Sequence, residues 1–287
     1  MHPFYNRLKY NVRKQATLIG MPLPSHPPRT TATLLYGPVS SRRFGVSLGL
    51  NLSGPGKQCS FNCRYCFRGF NDLPSPGTGL EQALPDARTV LATLDAWLAA
   101  GGQADVVDWT LAGNGEPTDH PEFPEIIDGL VRLRDRRAPG VKISVLSNGM
   151  GLIPRRNPRA AAVRAALGLT DRPCLKLDAG RPDSWQRLAQ PADGVTLDEW
   201  LAAAAAVRPL ILQTLFVQGA IDTTTPDELA ALQAVYARLQ PETVYLLTLD
   251  KPPADASILP VPRERMAAIG RQFIATAPPD APRFLLF

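Results

Sequence analysis

Three of the four cysteines of this 287-residue chain lie close together, as Cys59-x-x-x-Cys63-x-x-Cys66. Thiolates at this spacing can surround one face of a small metal centre, and soft sulfur ligands favour iron–sulfur clusters, zinc or copper(I). A structural zinc site usually takes four protein ligands, and no fourth cysteine or histidine lies nearby in the sequence. A 4Fe–4S cube held by three cysteines leaves one iron open for a substrate or cofactor. The spacing favours such a cluster, with a zinc knuckle or three buried structural thiols as the alternatives.

The cysteine spacing, with Tyr65 directly before the last cysteine, resembles the signature of the radical S-adenosylmethionine (SAM) enzymes. The resemblance implies two cofactors, a 4Fe–4S cluster held by the three cysteines and S-adenosyl-L-methionine, which chelates the open iron through its amino and carboxylate groups. It also implies that an external donor such as flavodoxin or ferredoxin supplies an electron, and that SAM is cleaved to a 5′-deoxyadenosyl radical. The resemblance further implies a metal-binding oxidoreductase, in which we expect Tyr65 to belong to the SAM site.

Strands and helices alternate along the chain and must position these cysteines. Val46, Leu48 and Leu50 alternate with small or polar residues just before the cysteine loop, which is the period of a strand with one buried face. Further strands are predicted over residues 104–112, 141–146, 174–179, 210–217 and 243–249. Helices are predicted over residues 85–100, 122–136, 158–167, 196–207, 225–239 and 262–275.

Local signals define the ends of the predicted elements. Two capping boxes, Thr196–Glu199 and Thr225–Glu228, begin two of the helices. Residues 1–35 are predicted to form an irregular amino-terminal arm with at most one short helix, and residues 283–287 an extra strand or a cover. Six β/α units with short connections predict parallel strands. The expected fold class is α/β, a partial (β/α)6 barrel over residues 36–287 with its site at the carboxyl ends of the strands.

A glycine-rich segment follows the second predicted strand of the barrel. It consists of Gly113, Asn114, Gly115 and Glu116. Glycines allow a ligand to approach the backbone closely, and Glu116 offers a carboxylate to a cation. The segment resembles the Gly-Gly-Glu motif with which the radical SAM family holds the SAM ammonium, with Asn114 in place of the first glycine of the pair. The alternative is a turn whose carboxylate precedes a helix.

Two later strand ends also carry polar residues. Ser147 and Asn148, in a Ser-Asn-Gly turn after the third strand, resemble the family segment near the SAM carboxylate and ribose. A simple turn is the alternative interpretation. Gln213 is a polar residue among apolar neighbours on the fifth strand, and we expect it to face the cofactor.

The fourth predicted strand places three chemical groups on one face. Cys174, Lys176 and Asp178 alternate with leucines, so they are predicted to point into the barrel. Asp178, nearest the carboxyl end, is expected to contact a ribose hydroxyl or the substrate, and Lys176 to neutralise Asp178 or a substrate anion. Cys174 enters the strand about 13 Å earlier, at about 3.3 Å per residue, so it is interpreted as a buried structural thiol.

The balance of charge is basic, with a net charge of +5 and a sequence pI of about 9.2. Arg42, Arg43, Lys57 and Lys251 are predicted to lie near the barrel rim, where they would suit an acidic partner such as tRNA or an anionic metabolite. His120, after the glutamate loop, is expected to cap a helix or to face solvent.

Composition also limits the class of protein. No run of eighteen apolar residues exists, so we expect no membrane-spanning helix and no membrane partner. The first residues lack the apolar segment of a signal peptide. Because three of the four cysteines are clustered as ligands, the sequence indicates a reducing compartment, and we expect the protein to be cytoplasmic.

The resemblance extends over most of the chain. The segments YGPVSSRRFGVSLGLNL, CSFNCRYCFRG, GNGEPTDHPEF, SNG, LKLDAG and DKPPADASILP are similar, in that order, to a bacterial and archaeal radical SAM group related to the tRNA wybutosine-synthesis enzyme. Residues 1–58 contain no cysteine, so neither the second cluster of that enzyme nor its pyruvate-condensing reaction is expected here.

The resemblance implies reductive cleavage of SAM followed by hydrogen abstraction from a substrate. A tRNA base or other nucleotide-type substrate is favoured over a small metabolite or peptide, because of the basic residues and the related tRNA enzyme. A glycyl-radical-enzyme activase is a further alternative with the same motif. The non-enzymatic alternative is a zinc-binding nucleic-acid adaptor, which would give no role to Gly115, Glu116 or Asp178.

Overall fold

The structure is a computed structural model that describes residues 8–10, 17–18, 21–22, 33–72, 84–276 and 281–287, the first three ranges as backbone only. The strands are β1 (Leu8–Tyr10), β2 (Thr17–Leu18), β3 (Met21–Pro22), β4 (Leu35–Ser41), β5 (Gly45–Leu50), β6 (Asp108–Leu111), β7 (Lys142–Ser147), β8 (Arg172–Lys176), β9 (Ile211–Gly219), β10 (Thr243–Thr248), β11 (Ile258–Pro260) and β12 (Arg283–Leu286). The α-helices are α1 (Ala87–Ala99), α2 (Phe123–Arg137), α3 (Ala160–Gly168), α4 (Pro182–Ala189), α5 (Leu197–Ala204), α6 (Pro226–Leu239) and α7 (Arg263–Ala275).

The chain divides into two compact units. The amino-terminal unit consists of residues 13–60 and 71–173, and the carboxy-terminal unit of residues 1–12, 61–70 and 174–287. The segment with the three cysteines therefore passes from one unit to the other after Ser60 and returns at Asn71.

The amino-terminal unit contains the strands that precede and follow the glycine-rich segment. Strands β5, β6 and β7 are parallel neighbours, and β4 pairs with β5 in the antiparallel direction. All four residues of β6 are buried, as expected for a parallel strand covered on both faces. Helix α2 packs between α1 and α3. The carboxyl ends of three parallel strands thus meet at one edge of this unit.

The carboxy-terminal unit contributes five parallel strands. Strands β8, β9, β10, β12 and β1 are neighbours in that order and are parallel, while β11 pairs antiparallel with the end of β9. Helix α7 packs on β10 and β12. Phe273 of this helix stacks on Phe284 at 5.6 Å between ring centroids and contacts Tyr236 edge-on. This aromatic cluster packs α6 and α7 against β12.

The predicted helix starts are partly confirmed. The capping box of Thr196 and Glu199 is complete, with both reciprocal hydrogen bonds. Thr225 also caps its helix by accepting a hydrogen bond from the backbone N–H of Glu228. The second capping box is nevertheless wrong, because the Glu228 carboxylate turns away and accepts the N–H of Gly180, at 3.1 Å. The carboxylate satisfies a buried donor in the loop after β8 instead of the cap.

The alternation of predicted strands and helices is otherwise observed, and the extra strand at the carboxyl terminus is β12. Among the described strands and α-helices, those that were not predicted are helix α4, the antiparallel strands β4 and β11, and the short strands β1, β2 and β3, where an irregular arm with at most one short helix had been expected. Most of the predicted arm, residues 1–35, lies outside the described residues. Its described backbone contains β1, which joins the sheet of the carboxy-terminal unit beside β12. The division into an arm and one domain over residues 36–287 stays a prediction.

Candidate functional site

The glycine-rich segment after β6 is packed against the start of the cysteine loop. A Cβ atom on Gly113 would lie 2.2 Å from Asn51 Oδ1, and one on Gly115 would lie 1.9 Å from the carbonyl oxygen of Gln58. The Asn114 side chain donates to the carbonyl oxygen of Gly54 at 2.7 Å. These glycines are required by close packing within the protein, and Asn114 anchors the loop where the family motif has a glycine.

Glu116 connects two strand ends through its buried carboxylate, which is 5% exposed. Its Oε1 accepts hydrogen bonds from the Thr118 N–H at 3.0 Å, the Thr118 hydroxyl at 2.7 Å and the Ser147 hydroxyl at 2.6 Å. Its Oε2 accepts the backbone N–H of Asn148 at 2.6 Å. Because Ser147 and Asn148 follow β7, Glu116 holds the loop after β6 to the turn after β7. The glycine-rich segment and the Ser-Asn-Gly turn, both predicted parts of the site, therefore lie in contact.

Cys59 lies beside that turn. The side-chain amide of Asn148 donates to Cys59 Sγ at 3.6 Å and to the Ser60 hydroxyl at 3.1 Å. The backbone carbonyl of Cys59 accepts the Asn71 side-chain amide at 2.9 Å. The first cysteine is thus fixed through both its sulfur and its backbone, and the predicted Ser-Asn-Gly segment reaches the cysteine itself.

Asp119 is a second carboxylate of this region, with 10% of its side chain exposed. It accepts the backbone N–H of Ser60 at 3.1 Å, and Arg156 lies 3.7 Å from its other oxygen. Burial and the neighbouring charge of Glu116 raise the pKa of Asp119 above its ordinary value, while Ser60 and Arg156 oppose this shift. Sequence reasoning missed Asp119, Ser60 and Asn71. The position of Asp119 three residues after Glu116 was the available signal for the first of them.

His120 has a structural role. Its ring is buried, its Nε2 lies 3.0 Å from the carbonyl oxygen of Pro85, and its Nδ1 accepts the N–H of Glu122 at 3.1 Å. These partners require a neutral ring with its proton on Nε2. Burial lowers the pKa of His120. The expectation that His120 faces solvent is wrong, because the ring is buried. The expectation that it caps a helix is closer to its role, because Nδ1 accepts the N–H of Glu122, just before α2.

In the carboxy-terminal unit, helix α4 holds the cysteine loop by its last carbonyl groups. The N–H of Asn62 donates to the carbonyl oxygen of Ala189 at 3.1 Å, and the N–H of Arg64 to that of Leu188 at 3.0 Å. The Phe61 ring meets Trp185 of α4 edge-on at 5.6 Å between centroids. The free carbonyl groups that any helix presents at its carboxyl end are used here to shape the loop before Cys63.

Tyr65 and Asp178 form a buried hydrogen bond. The Tyr65 hydroxyl donates to Asp178 Oδ2, and Asp178 Oδ1 accepts the N–H of Leu215 at 2.8 Å. Burial raises the pKa of both the Tyr65 phenol and the Asp178 carboxyl. Asp178 therefore links the cysteine loop to the carboxyl ends of β8 and β9, and its oxygens hold groups of the protein where a ribose contact had been expected.

Lys176 lies next to this pair. Its Nζ is 5.8 Å from the centroid of the Tyr65 ring, and it pairs in register with the buried Gln213 on β9, as the predicted inward face requires. Burial raises the pKa of the Cys63 thiol to about 11, and the charge of Lys176 opposes this rise. Cys174 is 1% exposed on β8, as expected for a structural thiol.

The loop after β10 contacts the last part of the cysteine loop. Lys251 Nζ lies 3.8 Å from the centroid of the Phe67 ring, and the guanidinium of Arg68 lies 4.7 Å from the same ring. Arg64 Nε donates to Asp255 at 2.6 Å, and the N–H of Asp255 donates back to the Arg64 carbonyl at 2.9 Å. Ion pair, cation–π contact and backbone bond together connect this loop to residues 64–68.

The predicted basic rim is wrong in its first two members. Arg42 and Arg43 lie in the turn between β4 and β5, at the amino end of β5, whereas the cysteine loop follows its carboxyl end. The six residues of β5, about 20 Å at about 3.3 Å per residue, lie between the two arginines and the cysteine loop. The Arg43 guanidinium stacks instead at 5.2 Å from the Phe44 ring. Lys57 is only 2% exposed.

All four cysteines are free thiols. In the parts of the chain that the structure describes, no group of three or more His, Cys, Asp and Glu side chains is arranged to hold a single metal ion. None of the described helices is long and apolar enough to cross a membrane.

Comparison with known proteins identifies the nature of the cysteine segment. Residues 54–233 match the family model of the radical SAM superfamily. A UPF0026 protein of Synechocystis sp. is 33% identical over 211 residues, which make up 72% of this chain and 73% of the relative.

Solved structures agree in fold. A radical SAM methyltransferase from Sphaerobacter thermophilus matches with a TM-score of 0.58 and 16% identity, over 84% of this chain and 65% of that enzyme. The structure of TYW1 with a lysine–pyruvate adduct bound matches with a TM-score of 0.52 and 14% identity, over 81% of this chain and 75% of TYW1. At these identities the likeness shows the fold alone, and it confirms the predicted α/β class with mostly parallel strands.

Proposed function

Because the chain belongs to the radical SAM superfamily, we propose that it is an enzyme that binds one 4Fe–4S cluster through Cys59, Cys63 and Cys66. The observation that carries the proposal is the cysteine segment itself, which lies inside the 54–233 match. SAM is the proposed second cofactor, and the proposed reductant is a small external electron carrier such as flavodoxin or ferredoxin.

The chemistry of the donor set fits such a cluster. None of the three cysteines forms a disulfide bond, and Cys59 Sγ already accepts a hydrogen bond from Asn148. An N–H group directed at sulfur stabilises the negative charge of a thiolate ligand. The positive charge of Lys176 favours the thiolate of Cys63 against the effect of burial. Burial still raises the pKa of Cys63 to about 11, so binding of the metal must itself drive the loss of this proton.

The carboxylate of Glu116 is the proposed partner of the SAM ammonium. A carboxylate has about four lone-pair sites; Oε1 of Glu116 accepts three hydrogen bonds, whereas Oε2 accepts one, from Asn148. Oε2 can therefore accept a further donor. Gln213 remains a proposed SAM contact from β9. Asn114 and Asp178 are proposed as positioning residues, because their polar atoms hold the cysteine loop.

When bound, the cluster supplies one electron for the cleavage of SAM to methionine and a 5′-deoxyadenosyl radical, which abstracts hydrogen from the substrate. The chain's own contribution is to hold the cysteine loop and the cationic end of SAM. Glu116 holds the turn beside Cys59, and α4 holds the backbone on either side of Cys63. The proposed substrate is a nucleotide-type molecule, with a small metabolite or peptide as the alternative.

Anaerobic reconstitution tests the proposal. We expect a brown protein with about four iron atoms per chain that forms 5′-deoxyadenosine from SAM when a strong one-electron reductant is added. A triple variant with Cys59, Cys63 and Cys66 changed to Ala should form none, whereas Cys174→Ala should resemble the parent. A colourless zinc protein, or a cluster protein that leaves SAM intact, would contradict the proposal.

A further inference from the structure

We propose that the side-chain amide of Asn148 is a hydrogen-bond donor to the Cys59 sulfur that raises the reduction potential of the cluster. The proposal rests on the function proposed above, in which Cys59 is a cluster ligand. The proposal gives the Asn148 side chain a hydrogen bond to the sulfur of a cluster ligand, whereas the sequence indicated a contact with SAM.

The orientation of the Asn148 amide is determined by its partners. Its Oδ1 accepts the N–H of Met150 at 2.9 Å, so this end of the amide must be the oxygen. The Nδ2 end then donates to Ser60 Oγ at 3.1 Å and to Cys59 Sγ at 3.6 Å. Asn148 is 3% exposed, so water does not compete for these bonds. A flipped amide would direct its oxygen at the sulfur and lose the Met150 bond.

Glu116 is the positioning residue for this contact. Its carboxylate accepts the Asn148 N–H at 2.6 Å and the Ser147 hydroxyl at 2.6 Å, which fixes the turn on both sides of the Asn148 backbone. The turn then continues through Gly149, whose φ of +80° is a left-handed conformation that glycine adopts without strain. Neither end of the Asn148 side chain can shift without breaking one of these bonds.

The effect on the cluster follows from charge. Reduction adds one electron from the external carrier, and part of the added negative charge falls on the ligand sulfurs. A donor N–H stabilises the reduced state more than the oxidised state, so it raises the potential. Residues that orient a ligand in this way are known to tune metal sites strongly. The amide of Asn148 thereby makes the cluster easier to reduce.

Two variants test this by redox titration of the reconstituted protein, followed by electron paramagnetic resonance of the reduced cluster. In Asn148→Ala the donor is lost, and we expect the equilibrium constant for one-electron reduction to fall about tenfold, which is about 59 mV. In Asn148→Asp the shape and the acceptor for Met150 are kept, but the donor is replaced by a charge, so the potential should fall further. An unchanged potential in Asn148→Ala would overturn the proposal, even with a lowered potential in Asn148→Asp.

Asn157→Asp is the matched control. Asn157 lies in the same unit, and its amide donates to the Gly151 carbonyl at 3.0 Å and accepts the N–H of Arg159 at 2.9 Å. The potential should match that of the parent. A fall equal to that of Asn148→Asp would show a general effect of added charge and would contradict the specific contact.

If the Asn148 variants fail to bind iron, a measurement on the unaltered protein tests the proposal instead. With asparagine labelled by ¹⁵N at the side-chain amide only, pulsed resonance of the reduced cluster should detect a weak ¹⁵N coupling that is absent in the unlabelled protein. Absence of coupling in a protein with a normal cluster overturns the inference and leaves the proposed function intact. Absence of any cluster in the parent protein contradicts the proposed function itself.

Discussion

Carboxylates hold the cysteine loop both near its first cysteine and near its last cysteine. Glu116 holds the turn that reaches Cys59, and Asp119 accepts the N–H of the next residue, Ser60. In the other unit Asp178 accepts the hydroxyl of Tyr65. Glu116 and Asp178 are almost entirely buried, the Asp119 side chain is 10% exposed, and each carboxylate accepts hydrogen bonds from the protein. Removing one acceptor leaves buried donors without partners, which costs about 1–3 kcal/mol per group.

The cysteines themselves give the first prediction. Cys59→Ala, Cys63→Ala and Cys66→Ala should each reduce iron from about four atoms per chain to near zero after anaerobic reconstitution, because each removes one ligand. Cys174→Ala should retain its iron, since Cys174 is buried in β8 about 13 Å along the chain before Asp178, at about 3.3 Å per residue. Iron and sulfide assays measure the outcome. Loss of iron in the Cys174 variant would contradict the ligand assignment.

Glu116→Gln should lower both stability and affinity for SAM. The new amide cannot accept hydrogen bonds at both ends, so either the Asn148 N–H or the donors on Oε1 lose their acceptor, at a cost of about 1–3 kcal/mol in the free energy of unfolding. Loss of one charge-assisted bond should weaken SAM binding about ten- to a hundredfold. Urea denaturation and equilibrium binding measure these effects.

Glu264→Gln is the control for Glu116→Gln. Glu264 is exposed in the first turn of α7, so its amide should change stability by less than about 0.5 kcal/mol. Unchanged SAM affinity in a stable Glu116→Gln variant would remove Glu116 from the SAM site.

At the scale of elements, two segments hold the cysteine loop within the carboxy-terminal unit. Helix α4 accepts N–H groups from Asn62 and Arg64, and the loop after β10 binds residues 64–68 through Asp255 and Lys251. The two segments are distant in sequence from the cysteines, and only the parallel arrangement of β8, β9 and β10 brings their ends to one edge. The shape of the loop therefore depends on the packing of whole elements.

The Arg64–Asp255 contact predicts a pH dependence. Hydrogen bonds from Ser257 and the Arg64 guanidinium hold the pKa of Asp255 at about 2, below its value of about 3.9 in an unfolded chain. A depressed carboxyl pKa stabilises the fold above the unfolded value and loses this effect as pH falls through the folded value. The difference in urea midpoint between the parent and Asp255→Asn should be constant from about pH 8 to 5 and shrink between about pH 4 and 2.

Asp105→Asn is the control for this measurement. Asp105 is exposed, with a φ of 66° that asparagine also tolerates. The urea midpoint of Asp105→Asn should differ little from that of the parent at every pH. If the difference in urea midpoint between the parent and Asp255→Asn persisted unchanged to about pH 2, the ionised Asp255 carboxylate would contribute nothing to the Arg64–Asp255 contact.

At the scale of the whole molecule, the net charge of +5 does not translate into the predicted basic rim. Arg42 and Arg43 lie at the amino end of β5, and Lys57 is buried. Of the four predicted cations, Lys57 and Lys251 follow the carboxyl ends of strands, and of these two only Lys251 is partly exposed. Arg42 and Arg43 therefore lie away from the strand ends where the substrate is proposed to bind.

Salt dependence tests the consequence for RNA. One phosphate contact through Lys251 gives a log–log slope near −0.7, so binding of bulk tRNA should fall less than about threefold between about 50 and 200 mM salt. Reversing the charge at both Arg42 and Arg43 should leave the slope unchanged. Filter binding at several salt concentrations measures both quantities. A loss of more than about tenfold, flattened by the Arg42 and Arg43 changes, would restore the basic rim as an RNA surface.

The sequence by itself determined the features that are local in the chain. The three cysteines are ligand candidates because they are neighbours in the chain, and the period of apolar residues predicted most helices and parallel strands without any distant contact. The family match and the α/β class follow from these local patterns. Helix α4 was missed because its eight residues are short for a periodic signal, and its burial depends on contact with Phe61.

Tertiary structure decided which side chains meet at the site. Asn148 reaches Cys59 from a turn 89 residues away, and Tyr65 meets Asp178 across 113 residues. Such pairs depend on the register and order of parallel strands, which a period of two along one strand does not specify. The same topology placed Arg42 and Arg43 at the wrong end of β5 for the site. The direction of a strand, not distance along the chain, determines which end of the sheet a residue occupies.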